Sequence, residues 1–279
     1  LTEGSTLELR ERLGRATPET FGKTPASEKY PVGSGRMTVG KKSSYIDIYN
    51  PATAPETWHY DDMEACFERA DKSRAEIAST VKISTPDPYF NTLGPALSMA
   101  ADGIWDSSYK VWMHGAIGWR MPLTGWRAAY IGDVVGWHDR ARDHFDGYAA
   151  SQVTDVEPVI PHPAQDSALN LARSLKKWGT PMYSNGYICR YPNRKNIMHH
   201  YDMNLCYIDE LLWHFNWTGD MDYVRRMWPV LKLHLAWEKR NFDPDNDGLY
   251  DAYCCIWASD ALQYNSGGVT HSSAYNYRA

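Results

Sequence analysis

The spacing of apolar positions changes near residue 60. Before it, Gly and Pro recur at Gly4, Gly14, Pro18, Gly22, Pro25, Pro31, Gly33 and Gly35, and only Ser44 to Tyr49 alternates. That pattern predicts turns with one or two strands. From Asp61 onward apolar residues return every three or four positions. Met63, Cys66, Phe67, Ala70 and Ile77 mark one face of a helix that Asp61-Asp62 can cap and that ends near Thr80. Pro86 and Pro88 then flank a turn before a second predicted helix, Tyr89 to Ile104. The Gly-, Trp- and His-rich stretch 105–124 reads as a long loop, followed by a helix from Trp126 to Ala150.

A shorter helix is predicted over Asp166 to Trp178, and a Gly/Asn/Pro-rich loop runs on to Asn196. Two more helices follow, His199 to Trp217 and Met221 to Arg240. Only Thr218-Gly219-Asp220 joins them, which makes them antiparallel neighbours. An acidic turn, Asp243 to Tyr250, leads into a further loop, and a last amphipathic segment begins near His271. The chain therefore divides into a β or irregular segment over 1–60, a linker helix and entry strand over 61–83, and a helical region over 84–279. The class is mainly α, with short and long helix connections alternating.

Composition narrows the chemistry. Acidic residues outnumber basic ones by 34 to 29, for a formal charge of −5, and no basic stripe is visible. Nucleic acid is not an expected partner on that ground. No apolar run reaches the roughly eighteen residues of a membrane span. No signal-like segment stands at residue 1, as in a mature or trimmed chain. Twelve Trp and nineteen Tyr stand against six Phe. Flat rings with a polar edge suit wet clefts that stack on sugars, and they also fill helix–helix seams. The five cysteines (Cys66, Cys189, Cys206, Cys254, Cys255) form no disulfide framework and no CxxC pair.

Four segments carry a resemblance. Ser84-Thr-Pro-Asp-Pro-Tyr-Phe-Asn91 looks like the entry into a first barrel helix, and Gly125-Trp-Arg-Ala-Ala-Tyr-Ile-Gly-Asp133 like a segment lining the substrate end of a helical toroid. Leu212-Trp-His-Phe-Asn-Trp-Thr-Gly-Asp220 is similar to a hairpin turn, and Asp243 to Tyr250 to the acidic turn before a general-acid loop. Together they resemble the six-hairpin glycoside hydrolases and phosphorylases, a clan that includes α-L-rhamnosidase-, glucosidase- and cellobiose-phosphorylase-like enzymes. The resemblance implies an (α/α)6 toroid, incomplete in this chain, with 84–279 as its N-terminal half and the remaining helices expected elsewhere in the same protein. It also implies a carbohydrate substrate and, with the aromatic content, a secreted or periplasmic setting.

Glycoside hydrolysis uses two carboxyl groups across the scissile bond. Asp260 lies where the resembled enzymes place the general acid. Trp257 and Tyr264 flank it and would raise its proton affinity. The second carboxylate is expected beyond Ala279, with Asp133 the alternative within the chain. On a continuous helix, Trp126, Arg127 and Asp133 would share one face. The resemblance makes Trp126 and Arg127 sugar contacts, while Asp133 serves equally well as a buried ion-pair partner. Trp105, Asp106, His114 and Trp119 in the preceding loop, His200 at a helix start, and Trp257 and Tyr264 beside Asp260 are further candidate sugar contacts.

The expected activity is an inverting glycoside hydrolase. A phosphorylase and a non-catalytic glycan-binding domain are the alternatives, and a lyase using Tyr201, His200 and Arg127 stands behind them. No cofactor is implied. Asp243, Asp245 and Asp247 imitate the start of a calcium loop, but its twelfth position falls on Cys254 where such a loop needs Glu, which leaves a tight acidic turn or a calcium ion held there together with other residues.

Overall fold

Helix α1 (Met63–Ala78) starts where the capping residues predict, with the Ala65 N–H donating to Asp62 Oδ1 at 2.9 Å. The computed structural model describes residues 6–10, 32–36, 40–41, 43–45, 62–157, 183–197, 202–243, 245–251, 254–255, 263–264 and 268–279. Contacts group residues 1–72 in one unit and 73–279 in another, so the division falls inside α1. In the first unit, β1 (Thr6–Arg10) and β2 (Val32–Arg36) pair antiparallel, with Thr6 opposite Arg36. Of the alternating stretch Ser44–Tyr49, only Ser44 and Tyr45 are described, and they are not in a strand.

The second unit is mainly helical. The helix predicted over Tyr89–Ile104 is broken into α2 (Pro88–Asn91) and α3 (Leu93–Gly103). Pro95 has no N–H to offer the Asn91 carbonyl, so the chain restarts at Thr92. The motif before it closes on itself. The Thr85 N–H donates to Asn91 Oδ1 at 2.7 Å, Asn91 Nδ2 donates to the Thr85 carbonyl at 3.1 Å, and Asp87 Oδ1 caps the Tyr89 N–H at 2.8 Å. Pro88 stands in the first turn of α2, where a missing N–H costs nothing.

The stretch read as a loop carries a three-stranded antiparallel meander: β3 (Trp105–Asp106), β4 (Val111–His114) and β5 (Met121–Pro122). The helix predicted from Trp126 to Ala150 is also divided. Arg127 lies at φ 66, and only then does α4 (Tyr130–Val134) begin. Gly136, at φ 80, turns the chain before α5 (His138–Ala149). A left-handed residue cannot continue a right-handed helix.

Helices α6 (Asp202–Thr218) and α7 (Met221–Phe242) form the expected hairpin. Asp220 caps α7 by accepting the Asp222 and Tyr223 N–H groups, each at 3.0 Å. Arg142 of α5 holds the same carboxylate at 2.7 Å. Every residue of α6 from Asp202 to Leu211 is buried. Its neighbours account for that burial, since α6 packs against α4, α5, α7 and α8 (Thr270–Arg278). The main core gathers Val111, Trp112, Phe145, Tyr148, Tyr207, Leu211 and Met227 around it. A second cluster joins Val153, Tyr187, Cys189, Trp237 and Phe242. Cys66, Cys189 and Cys206 are not joined in disulfides. Among the described residues no helix is long and apolar enough to cross a membrane.

Candidate functional site

Of the residues proposed to meet a sugar, three come together. His114 ends β4, and its ring meets the Trp126 indole edge-on, with centroids 4.4 Å apart and planes at 83°. The Arg127 guanidinium lies 5.4 Å from the same indole. Trp126 and His114 are half-buried and Arg127 is exposed. Gly125 explains how this loop lies flat on α6. Its φ is 67, and a Cβ there would stand 1.9 Å from the Met203 carbonyl oxygen and 2.5 Å from the Tyr207 nitrogen. Arg127 also takes a left-handed conformation without being glycine, at a cost of about 1 kcal/mol. The chain thus accepts strain to present an aromatic face and a cation side by side.

Two adjacent carboxyl groups of α6 lie beneath this loop. The Ala129 N–H donates to Glu210 Oε1 at 3.1 Å. The Tyr130 hydroxyl donates to Asp209 Oδ2, and Arg278 of α8 holds Asp209 Oδ1 at 2.5 Å. Burial pushes the Glu210 acid up to about 8. The Ala129 N–H and Arg127 oppose that rise, and the Asp209 charge adds to it. Burial thus favours the protonated form of Glu210. Burial also raises the Tyr130 phenol far above its usual range, helped by Cys206 and Asp209.

The other sequence candidates do different work. Asp133 is buried in α4, His138 Nδ1 stands 2.7 Å from its Oδ1, and His214 Nδ1 stands 2.9 Å from both of its oxygens. The expected helical face shared by Trp126, Arg127 and Asp133 does not exist, because Gly125 and Arg127 turn the chain before α4 begins. The partners of the buried Asp133 are two imidazoles. Asp106 accepts the Ser108 and Tyr109 N–H groups at 3.0 Å each and pairs with Arg120 at 3.4 Å, which fixes the β3–β4 turn. Trp105 packs edge-on against Trp112 at 4.8 Å and under the Arg140 guanidinium at 5.3 Å. Trp119 lies between β4 and β5 and is 72% exposed.

Asp260, Trp257 and His200 lie outside the described residues, as does the side chain of Tyr264, whose backbone pairs with Cys254 in the β6–β7 ladder (Cys254–Cys255, Gln263–Tyr264). Asp243, Asp245 and Asp247 bring carboxylate oxygens within 4.8 Å of one another. Backbone N–H groups already occupy two of them: Gly248 donates to Asp243 Oδ1 at 3.3 Å and Leu249 to Asp247 Oδ1 at 2.7 Å. The side chains that sequence reasoning missed are Asp209, Glu210, Tyr130 and Arg278. A signal for the first two was present, since an Asp-Glu pair inside the apolar run Tyr207-Ile-Asp-Glu-Leu-Leu212 must be buried with partners.

Comparison with known protein families, with curated proteins and with solved structures returns no match for this chain.

Proposed function

We propose that this chain is part of a glycoside hydrolase that acts on an oligosaccharide or polysaccharide by general acid/base catalysis. The observation that carries the reading is the platform of His114, Trp126 and Arg127, held on α6 by a strained left-handed turn. A pyranose ring offers a C–H face that stacks on an indole and a rim of hydroxyls that a guanidinium can bind bidentately. Strain kept at a half-exposed aromatic and cationic pair is a mark of a ligand site. Asp260 is the proposed acid, protonating the leaving-group oxygen while a second carboxylate activates water. The (α/α)6 toroid belongs to the same proposal. Its support is the α6–α7 hairpin with a buried, polar-bearing α6 surrounded by other helices.

The test is product release from a panel of oligosaccharides, with and without phosphate, by the full-length gene product and by its Asp260→Asn and Trp126→Ala variants. Cleavage that Asp260→Asn abolishes, and that Trp126→Ala weakens mainly through KM, is the expected result. Dependence on phosphate would replace hydrolysis by phosphorolysis. Glycan binding without cleavage would make this a binding domain, and neither binding nor cleavage of any panel member would overturn the reading.

A further inference from the structure

Two adjacent side chains of α6 face the loop that carries Trp126 and Arg127, and they hold it in different ways. Successive residues of a helix point about 100° apart, so Asp209 and Glu210 diverge to reach different partners. Asp209 has the Arg278 guanidinium at 2.5 Å and the Tyr130 hydroxyl as donor, so its charge is compensated. Glu210 is only 2% exposed, spends Oε1 on the Ala129 N–H, and has no hydrogen-bond partner for Oε2 among the described residues. Gly125 is pinned against Met203 and Tyr207 of α6, and Ala129 is pinned by Glu210 of the same helix. The three residues between these anchors, Trp126 to Ala128, are the platform's backbone.

We infer that Glu210 is a positioning residue for the Trp126–Arg127 platform, its buried carboxyl oxygen holding the Ala129 N–H at the end of the three residues that form it. The inference rests on the reading of His114, Trp126 and Arg127 as a sugar-binding surface. The groups facing Glu210 are Asp209 on its own helix, Tyr207 one turn earlier, Tyr148 of α5, Tyr130 of α4 and Arg127 of the loop. Four of these are acidic or phenolic, and Arg127 is the cation. Removing the carboxyl oxygen leaves the buried Ala129 N–H without its acceptor, and the Arg127 guanidinium over Trp126 shifts with the backbone that carries it.

The experiment uses the full chain labelled with 5-fluorotryptophan and followed by fluorine NMR at neutral pH. The Trp126 resonance is identified by its loss in Trp126→Phe. It is expected to keep its parent position in Glu210→Gln, whose amide oxygen accepts the Ala129 N–H, and to be displaced in Glu210→Ala. A Glu210→Ala spectrum matching the parent would overturn the inference, as would a Glu210→Gln spectrum matching that of Glu210→Ala. Because no glycan is present, failure here is distinct from failure of the sugar reading. That reading falls instead if Trp126→Ala leaves binding to an immobilised oligosaccharide panel unchanged.

Discussion

Three glycines in the second unit separate two causes of instability, and their Ala variants form a graded series. At Gly136 the backbone has φ 80 and a Cβ would meet nothing within 4 Å, so Gly136→Ala costs only the left-handed strain, about 1 kcal/mol. Gly132 is the converse. It lies in helical conformation inside α4, but a Cβ would stand 2.4 Å from Trp112 Cη2. The Trp112 indole is buried and fixed by its Nε1–H bond to the Ala101 carbonyl, so the methyl overpacks the core by about 1–3 kcal/mol. Gly125 combines both, with φ 67 and a Cβ 1.9 Å from the Met203 carbonyl oxygen. That oxygen belongs to the backbone of a central helix and cannot swing aside, so Gly125→Ala is expected to cost roughly 3–5 kcal/mol. Thermal unfolding followed by circular dichroism reads the series, since 1 kcal/mol moves Tm by about 2–4 °C in a unit of this size. The expected order of loss is Gly136→Ala, then Gly132→Ala, then Gly125→Ala by about 10 °C. Equal Tm values for Gly125→Ala and Gly136→Ala would mean that the loop does not lie on α6, and the support for the platform would go with it.

Three further outcomes are expected. Burial raises the Glu210 acid from the usual carboxylate range up to about 8. A raised pKa of this kind contributes stability that is complete below about pH 4.5 and is lost as pH rises through 8, at about 1.4 kcal/mol per unit. Glu210→Gln cannot ionise, so its stability relative to the parent should rise by about 3 kcal/mol between pH 6 and 8 in urea titrations; a flat difference would show that the group is not a buried acid. Asp133→Asn leaves two imidazoles competing for one amide oxygen, and His214 is fully buried, so a loss of roughly 3 kcal/mol is expected. His138→Asn should cost much less, because its ring is 43% exposed, and the reverse ranking in urea would refute the assignment. The acidic turn is closed by its own N–H donors, so millimolar calcium against a chelator should leave Tm unchanged within about 1 °C; a rise of several degrees would make the carboxylate cluster a cation site.

What the sequence made legible was local. Thr218-Gly219-Asp220 announces a tight turn because the Asp220 side chain caps the next helix from within the same few residues. Asp62 announces α1 for the same reason. The breaks at Thr92 and Gly136 were also local, and both were overlooked because the apolar period runs straight through them. Pro95 stands in the first turn of a restarted helix, where the period does not register it, and a glycine inside a helical pattern is ordinarily tolerated at about 1 kcal/mol. Strands of two to four residues such as β3, β4 and β5 carry too few alternations to stand out from a loop.

The site is a different matter, because its partners are far apart in the chain. Trp126 and Arg127 were singled out by the likeness of one segment and His114 by its place in the loop before it, yet the helical face proposed for Trp126, Arg127 and Asp133 was wrong in kind. Helical periodicity assumes a right-handed backbone, and Arg127 abandons it at φ 66. What makes that conformation tenable is not near Arg127 in sequence: it is Met203, Tyr207, Asp209 and Glu210, some eighty positions on. The acidic pair in the middle of α6 was visible as two charges where an apolar helix should have none. Its meaning was not, since a buried carboxyl is defined by what answers it. Here a guanidinium and a phenol answer Asp209, while the hydrogen bond that Glu210 makes among the described residues comes from a backbone N–H. Two neighbours of nearly identical chemistry thereby meet different surroundings, and the difference arises from packing that no local pattern encodes.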